Sequence, residues 1–275
     1  MSPAADRLAL LHAYDSQLRR EAELTSALRT TAIGPLLLAT YVGGQGFITY
    51  RDLGTQAGPA TEESVRALVG AAVEHYRAMP GITRVEWKTR GHDHAPGLHE
   101  ALVAAGFEPE ETESVMIGDV ALLALDLEVP AGVTIRRVTD EADVRRMVDL
   151  QCEVFGDEPE EAEAHHAEIV HRLRTGGDLE LWAAEAGGQL VSAGRLEPVD
   201  GTEFAGIWGG CTRPEHRGRG IYRALTAARA RSAMARGKRW IHSDSTEFSR
   251  PILERSGLVT VCVTTPYLWK PRQKN

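Results

Sequence analysis

Cys211-Thr212-Arg213-Pro214-Glu215-His216-Arg217-Gly218-Arg219-Gly220-Ile221-Tyr222 is the stretch on which the reading of this chain turns. It stands between an apolar run at 204–210, which reads as a strand, and an alanine-rich run at 219–236, which reads as a helix. Strand, glycine-bearing loop and helix together make a cradle for phosphate. Glycine lets the backbone approach a ligand closely. The first amides of the helix have no partner inside it, and they carry the positive end of its dipole.

Charge supports an anionic ligand at this place. The 275-residue chain has a net charge of −8, yet 213–239 holds nine Lys or Arg against one acid, Glu215. A basic island in an acidic protein fits a pocket for one anion better than a nucleic-acid surface, whose affinity depends on many phosphate contacts. No nucleic-acid partner is expected. The hydrophobic content of 43% with 25% charged residues is that of an ordinary globular protein. Cys152, Cys211 and Cys262 are far apart and form no CxxC, which predicts reduced thiols and a cytoplasmic location. No leader and no apolar run of spanning length is read, so no membrane partner is expected.

Two other phosphate motifs fail. A P-loop needs Gly-Lys-Ser/Thr, which is absent. A dinucleotide fold wants a third glycine where Arg223 stands, and parallel strand–helix repeats. Here the strands before the loop are joined by tight turns at 186–189 and 199–201, which makes them antiparallel. Metal binding is not expected. His92, His94 and His99 have no second cluster, and His165, His166 and His171 lack ligand spacing.

Periodicity organises the rest. A helix is predicted over 6–28, a hairpin over 36–50, a helix over 61–79, a strand over 82–88, a short helix over 96–105 closed by Gly106, and an extended segment to 117. Val129-Pro130-Ala131-Gly132 reads as a boundary, dividing the chain into 1–130 and 131–275. Beyond it the pattern predicts a strand at 133–138, helices to 155 and over 158–174, strands at 179–185, 190–196 and 204–212, the helix after the loop, a strand at 238–243, a short helix ending at Gly257, and terminal extended structure at 258–269.

This order resembles the GNAT acyltransferase family. The resemblance rests on Thr212-Arg213-Pro214-x-x-Arg217-Gly218-Arg219-Gly220, on Ser249-Arg250-Pro251-Ile252-Leu253-Glu254-Arg255-Ser256-Gly257-Leu258, and on Tyr267-Leu268-Trp269. It covers residues 133–270. The first half resembles the same pattern in worn form: Ala105-Gly106-Phe107 echoes Ser256-Gly257-Leu258, but no basic Arg-Gly-x-Gly lies between Tyr50 and Thr61. The implied fold class is α/β (α+β), two GNAT-like domains with mixed, mostly antiparallel sheets flanked by helices. The first would be degenerate and the second would bind acetyl-CoA.

The resemblance implies site residues. Amides around Arg219, Gly220, Ile221 and Tyr222 would hold the pyrophosphate, with Arg217 and Gly218 shaping the loop. Gly210, Cys211 and Thr212 would border the pantetheine arm, which adds as an extra strand. Ser245 and Ser249 would complete the coenzyme A site. Tyr222 stands where the family has a small residue, and Leu253 where many relatives have the tyrosine that protonates the leaving thiolate. For a base, Glu203 comes first, then His242 and Asp244; Tyr222, Tyr267 or water are the candidates for the acid. Cys211 reads as a buried small hydrophobe rather than a nucleophile. The expected function is N-acetyl transfer from acetyl-CoA, without metal, to a small or peptide amine entering between the halves near Glu203, His242 and Tyr267. The chain is read as a monomer or homodimer. The rival readings are a non-catalytic acyl-CoA sensor and a protein-interaction module.

Overall fold

A computed structural model describes residues 3–56 and 58–271. In chain order the elements are α1 (Pro3–Gln17), β1 (Arg29–Ile33), β2 (Leu36–Thr40), β3 (Gln45–Thr49), α2 (Glu62–Arg77), β4 (Arg84–Arg90), α3 (Leu98–Ala105), β5 (Glu108–Pro109) and β6 (Glu113–Asp119). Next come α4 (Val120–Leu123), β7 (Val133–Val138), α5 (Glu141–Phe155), α6 (Pro159–Arg174), β8 (Glu180–Ala186), β9 (Gln189–Pro198), β10 (Phe204–Thr212), α7 (Ile221–Ala235), β11 (Trp240–Ser245), α8 (Arg250–Arg255) and β12 (Val259–Trp269).

These elements form two compact units. One holds the chain up to Val115, with Ser245–Phe248 and the segment from Thr260 on; the other holds Met116–Asp244 and Ser249–Val259. Each is an α/β unit with a largely antiparallel sheet flanked by helices. The units do not follow a single cut of the chain at 130. Val120 and Leu123 pack with Leu253 and Leu258 in the second unit. β12 pairs antiparallel with β4 in the first, from Thr264↔Arg90 to Trp269↔Val85. The reason is burial: Tyr267 and Trp269 enter the first unit's core beside Trp87 and Phe107.

In the first unit, β1–β2–β3 are antiparallel and β3 runs parallel to β4 after the α2 crossover. Val65, Val69, Ala72, Val73 and Tyr76 make the buried face of α2 at helical spacing. The helix expected over 6–28 is shorter than its pattern. It stops at Gln17, and Arg20 and Ser26 take left-handed φ values of 63°. A strand, β1, then begins at Arg29. Arg19 is drawn inward at the break, where its guanidinium donates to Asp93 and to the Tyr50 carbonyl, both at 2.8 Å. That tertiary bond outweighs the local preference to continue the helix.

The second unit repeats the scheme. β7, β8, β9 and β10 are antiparallel neighbours, and β11 runs parallel to β10 after the α7 crossover. Small residues on α7, Ala224, Ala227, Ala230 and Ala233, let it lie close to the sheet. Beneath it are Leu196, Ala205, Ile207 and Ile241, all buried. A large aliphatic side chain contributes about 1.5–3 kcal/mol by leaving water. α5 and α6 cover the opposite face through Val144, Met147, Val148 and Ile169 against Leu181, Ala183 and Ala193.

Candidate functional site

β10 is interrupted where the two glycines Gly209 and Gly210 stand. Its register with β9 shifts between Trp208 and Cys211. Gly209 takes φ 57°, a conformation that favours glycine, and its carbonyl accepts from Gln151 Nε2 at 2.7 Å. This is a β-bulge, which bends a strand and re-aims the residues beyond it. On the other edge of β10 the ladder with β11 comprises Phe204↔Trp240, Ala205↔Ile241 and Gly206↔His242, and goes no further. On the β9 side the pairing continues to Thr212↔Ser192. From the bulge to Thr212, then, β10 has one paired edge and one edge without a strand partner among the described residues. Two glycines inside an apolar run are the sequence signal for such a bulge; the spacing of strands and turns alone does not reveal it.

The loop after β10 is fastened from inside. Arg217 Nε donates to the Thr212 carbonyl at 3.0 Å, and Arg213 Nε donates to the Leu190 carbonyl at 3.1 Å. Gly218 and Gly220 take φ values of 72° and 81°, and a Cβ at either would meet nothing within 4 Å. Open space therefore lies over the loop. Gly220 is the N-cap of α7 and supplies no side-chain cap, so the amides at the start of a 15-residue helix face that space. The corresponding helix of the first unit is closed. Thr61 and Ser64 form a capping box on α2, and Glu62 and Glu63 occupy its first turn. Carboxylates there oppose an anion, so of these two helix N-termini it is that of α7 that stands open.

The remaining expected residues sit in several places. Cys211 is 3% exposed, and burial pushes its thiol up to about 11, which keeps it protonated. Its carbonyl accepts from Ser192 Oγ at 2.6 Å. Ile221 is buried, and Tyr222 folds back so that a Cβ on Gly210 would lie 2.9 Å from its hydroxyl. Ser245 ends β11 and is 2% exposed; Ser249 is the N-cap residue of α8. Leu253 lies in the apolar core and carries no proton to give.

Glu203 is exposed, in the turn before β10, and pairs with Arg239 at 3.6 Å. Seven residue steps along the strand separate it from Gly210, about 23 Å at ~3.3 Å each. That is beyond the reach of a proton transfer at the bulge. His242 is nearer: it pairs across from Gly206 and packs edge-on against Phe204 and Trp208, with centroids 5.9 and 5.2 Å away. Tyr267 belongs to the first unit, where its hydroxyl bonds His99 Nδ1 at 2.7 Å.

Beside the bulge, on the α5–α6 face, runs a chain of charged groups. Arg195 reaches His165 at 3.1 Å and Glu197 at 3.0 Å, and Arg172 grips Glu197 at 2.8 Å. Burial alone would raise the Glu197 carboxyl, but Arg195 and Arg172 hold it down at about 2. Among the described residues no group of His, Cys, Asp and Glu has the geometry to hold a metal ion. Nor is any helix among them long and apolar enough to cross a membrane.

Residues 134–257 match the family profile described as acetyltransferase (GNAT) domain. The whole chain is similar in fold to solved structures of low identity. One is a GCN5-related N-acetyltransferase from Kribbella flavida, 15% identical, with 98% of this chain and 95% of that chain covered and a TM-score of 0.64. Another is a tandem GNAT protein from the clavulanic acid biosynthesis pathway, 16% identical, covering 87% and 79%, with a TM-score of 0.62. A third is a conserved protein of unknown function from Staphylococcus epidermidis, 13% identical, covering 88% and 94%, at 0.66. No protein of curated function matches the sequence. At these identities the structural likeness establishes the fold.

Proposed function

Residues 134–257 belong to the acetyltransferase (GNAT) family, and on that premise we propose that the second unit binds acetyl-CoA and transfers its acetyl group to an amine. The observation that carries this reading is the free edge of β10 leading into an uncapped helix N-terminus. A pantetheine arm carries amides, and amides can complete the unpaired edge of β10 from Gly209 to Thr212 as an added strand. The pyrophosphate then meets the amides of Arg219 to Tyr222 and the positive end of α7. Neither a bare phosphate nor a simple nucleotide asks for both a strand edge and a phosphate cradle.

The chemistry has three requirements. The amine must lose a proton, since a free alkylammonium has a pKa near ~10. The tetrahedral oxyanion needs donors, and the amides at the bulge of β10 supply them. The leaving thiolate needs a proton. His242, at the last position where β10 and β11 pair, is the base we favour, and Glu203 stands too far along β10 to serve. The buried Leu253 favours a second reading, an acyl-CoA binder without turnover.

Thermal shift with acetyl-CoA, free phosphate and NAD tests the binding claim. Acetyl-CoA at about a hundred times its dissociation constant stabilises by roughly 2.7 kcal/mol, and phosphate alone does far less. Gly220→Glu puts a carboxylate where the pyrophosphate lies and abolishes the acetyl-CoA shift. A Gly220→Glu protein that still binds acetyl-CoA normally has its ligand elsewhere. Thiol release across an amine panel separates transferase from binder.

A further inference from the structure

Arg229 is the largest buried charge that this chemistry does not use. It sits on α7, 1% exposed. Its Nη1 donates to the Arg195 carbonyl at 3.1 Å, and its Nη2 donates to Thr226 Oγ1 at 3.0 Å. Of the titratable groups that act on it, the Tyr222 hydroxyl comes from its own helix, while the Cys211 thiol and the Arg195 side chain lie on the α5–α6 face of the sheet. None is a carboxylate. Burying a guanidinium without a counter-ion is costly, and burial here pulls its pKa below the ordinary arginine value. The sheet is even shaped to receive it: a Cβ on Gly194 would lie 2.5 Å from Nη1.

The arrangement ends at the reaction centre of the acetyl-CoA reading, on which this inference rests. The ring of Tyr222 covers Gly210, with the hydroxyl 2.9 Å and Cε2 2.8 Å from where a Cβ on that glycine would be. Gly210 lies on the segment of β10 that has lost its β11 partner. Gly194 lies opposite the bulge, between the pairs Trp208↔Arg195 and Cys211↔Ala193, so the Arg229 head group over Gly194 and the Tyr222 ring over Gly210 are neighbours under the sheet.

We propose that Tyr222 is the proton donor to the departing coenzyme A thiolate, with Arg229 as its positioning residue. The amine attacks the thioester carbonyl and the tetrahedral adduct forms. As it collapses the C–S bond breaks and its electron pair goes to sulfur. The Tyr222 proton passes to that sulfur, giving coenzyme A thiol and a phenolate facing Arg229. Solvent reprotonates the phenolate, and the proton lost by the amine leaves to solvent through the base. Tyr222 thereby fills the role vacated at Leu253, from the helix on the other side of the loop.

The test needs no knowledge of the acceptor. Coenzyme A and desulfo-coenzyme A are titrated calorimetrically into the full chain at pH 6 and pH 9. At pH 9 much of a thiol with a pKa near ~8.5 is thiolate, and a charge-assisted hydrogen bond from Tyr222 makes coenzyme A bind about five- to tenfold more tightly than its desulfo analogue. The preference shrinks at pH 6. Tyr222→Phe brings the ratio at pH 9 to about one. Arg229→Gln lowers the same ratio and serves as the second variant if Tyr222→Phe does not fold. A ratio that neither variant alters overturns the proposal. So does an equal loss for both ligands, which marks Tyr222 as packing only. If the wild-type chain binds neither ligand, it is the acetyl-CoA reading that has failed.

Discussion

Replacing Gly194 by alanine pushes a methyl group into a buried guanidinium. The new Cβ would stand 2.5 Å from Nη1 of Arg229, 2.8 Å from Cζ and 3.2 Å from Nη2. Arg229 is fully enclosed, so it has no solvent into which to retreat. Overpacking of this kind costs about 1–3 kcal/mol. Moving the head group also breaks the 3.1 Å bond from Nη1 to the Arg195 carbonyl, and a charged hydrogen bond contributes roughly 1.5–3 kcal/mol. The two losses share one displacement and do not simply add, so about 3 kcal/mol is expected. At ~2 °C per kcal/mol for a chain of this size the midpoint falls by about 6 °C. Urea unfolding of Gly194→Ala, Arg229→Met and the double variant measures this. Once Arg229→Met has removed the guanidinium, the alanine costs less than about 0.5 kcal/mol, which leaves a coupling of roughly 2–3 kcal/mol. An alanine equally costly in both backgrounds refutes the picture of a glycine that makes room for a charge.

Glu197 gives a pH signature. Its carboxyl is held at about 2, below the ~4.3 of an unfolded glutamate, so the stability it adds is complete above that unfolded value and is lost as pH falls toward 2. Glu197→Gln removes about 2–3 kcal/mol at pH 7 and flattens that acid limb; an unchanged limb means the two arginines do not act on it. In the first unit Arg19→Met strands Asp93, which is only 7% exposed, and costs about 3 kcal/mol or more in urea unfolding. Cys211, raised to about 11 by burial, stays unlabelled by a thiol reagent at pH 8 until the chain unfolds; rapid native labelling there means the strand opens. Thr61→Ala removes the capping box of α2 and lowers stability by ~1 kcal/mol.

Local chemistry makes the second unit legible from the chain itself. Hairpin turns at 186–189 and 199–201 set antiparallel order, and glycines between a strand and an alanine-rich helix mark the anion cradle. Such features depend on neighbours in sequence, so periodicity and turn residues carry them, and the phosphate side of the proposed site rests on them. The apolar periodicity overextends the first helix, because Arg19 leaves it for Asp93 and Tyr50, partners more than thirty residues away. Glu203 resembles a base because it adjoins the central strand, but its position at the far end of β10 depends on how the strand runs.

The sequence by itself determined the loop from Cys211 to Tyr222, its charge, and the repetition of strands around it. The tertiary structure alone decided which groups face that loop. The β10 ladder parts from β11 at Gly206, Tyr222 turns back onto Gly210, and Arg229 buries its charge behind it. The last strand also completes the first unit rather than the second. Each of these depends on contacts between residues distant in the chain, whose free energies come from burial and pairing that no local pattern records.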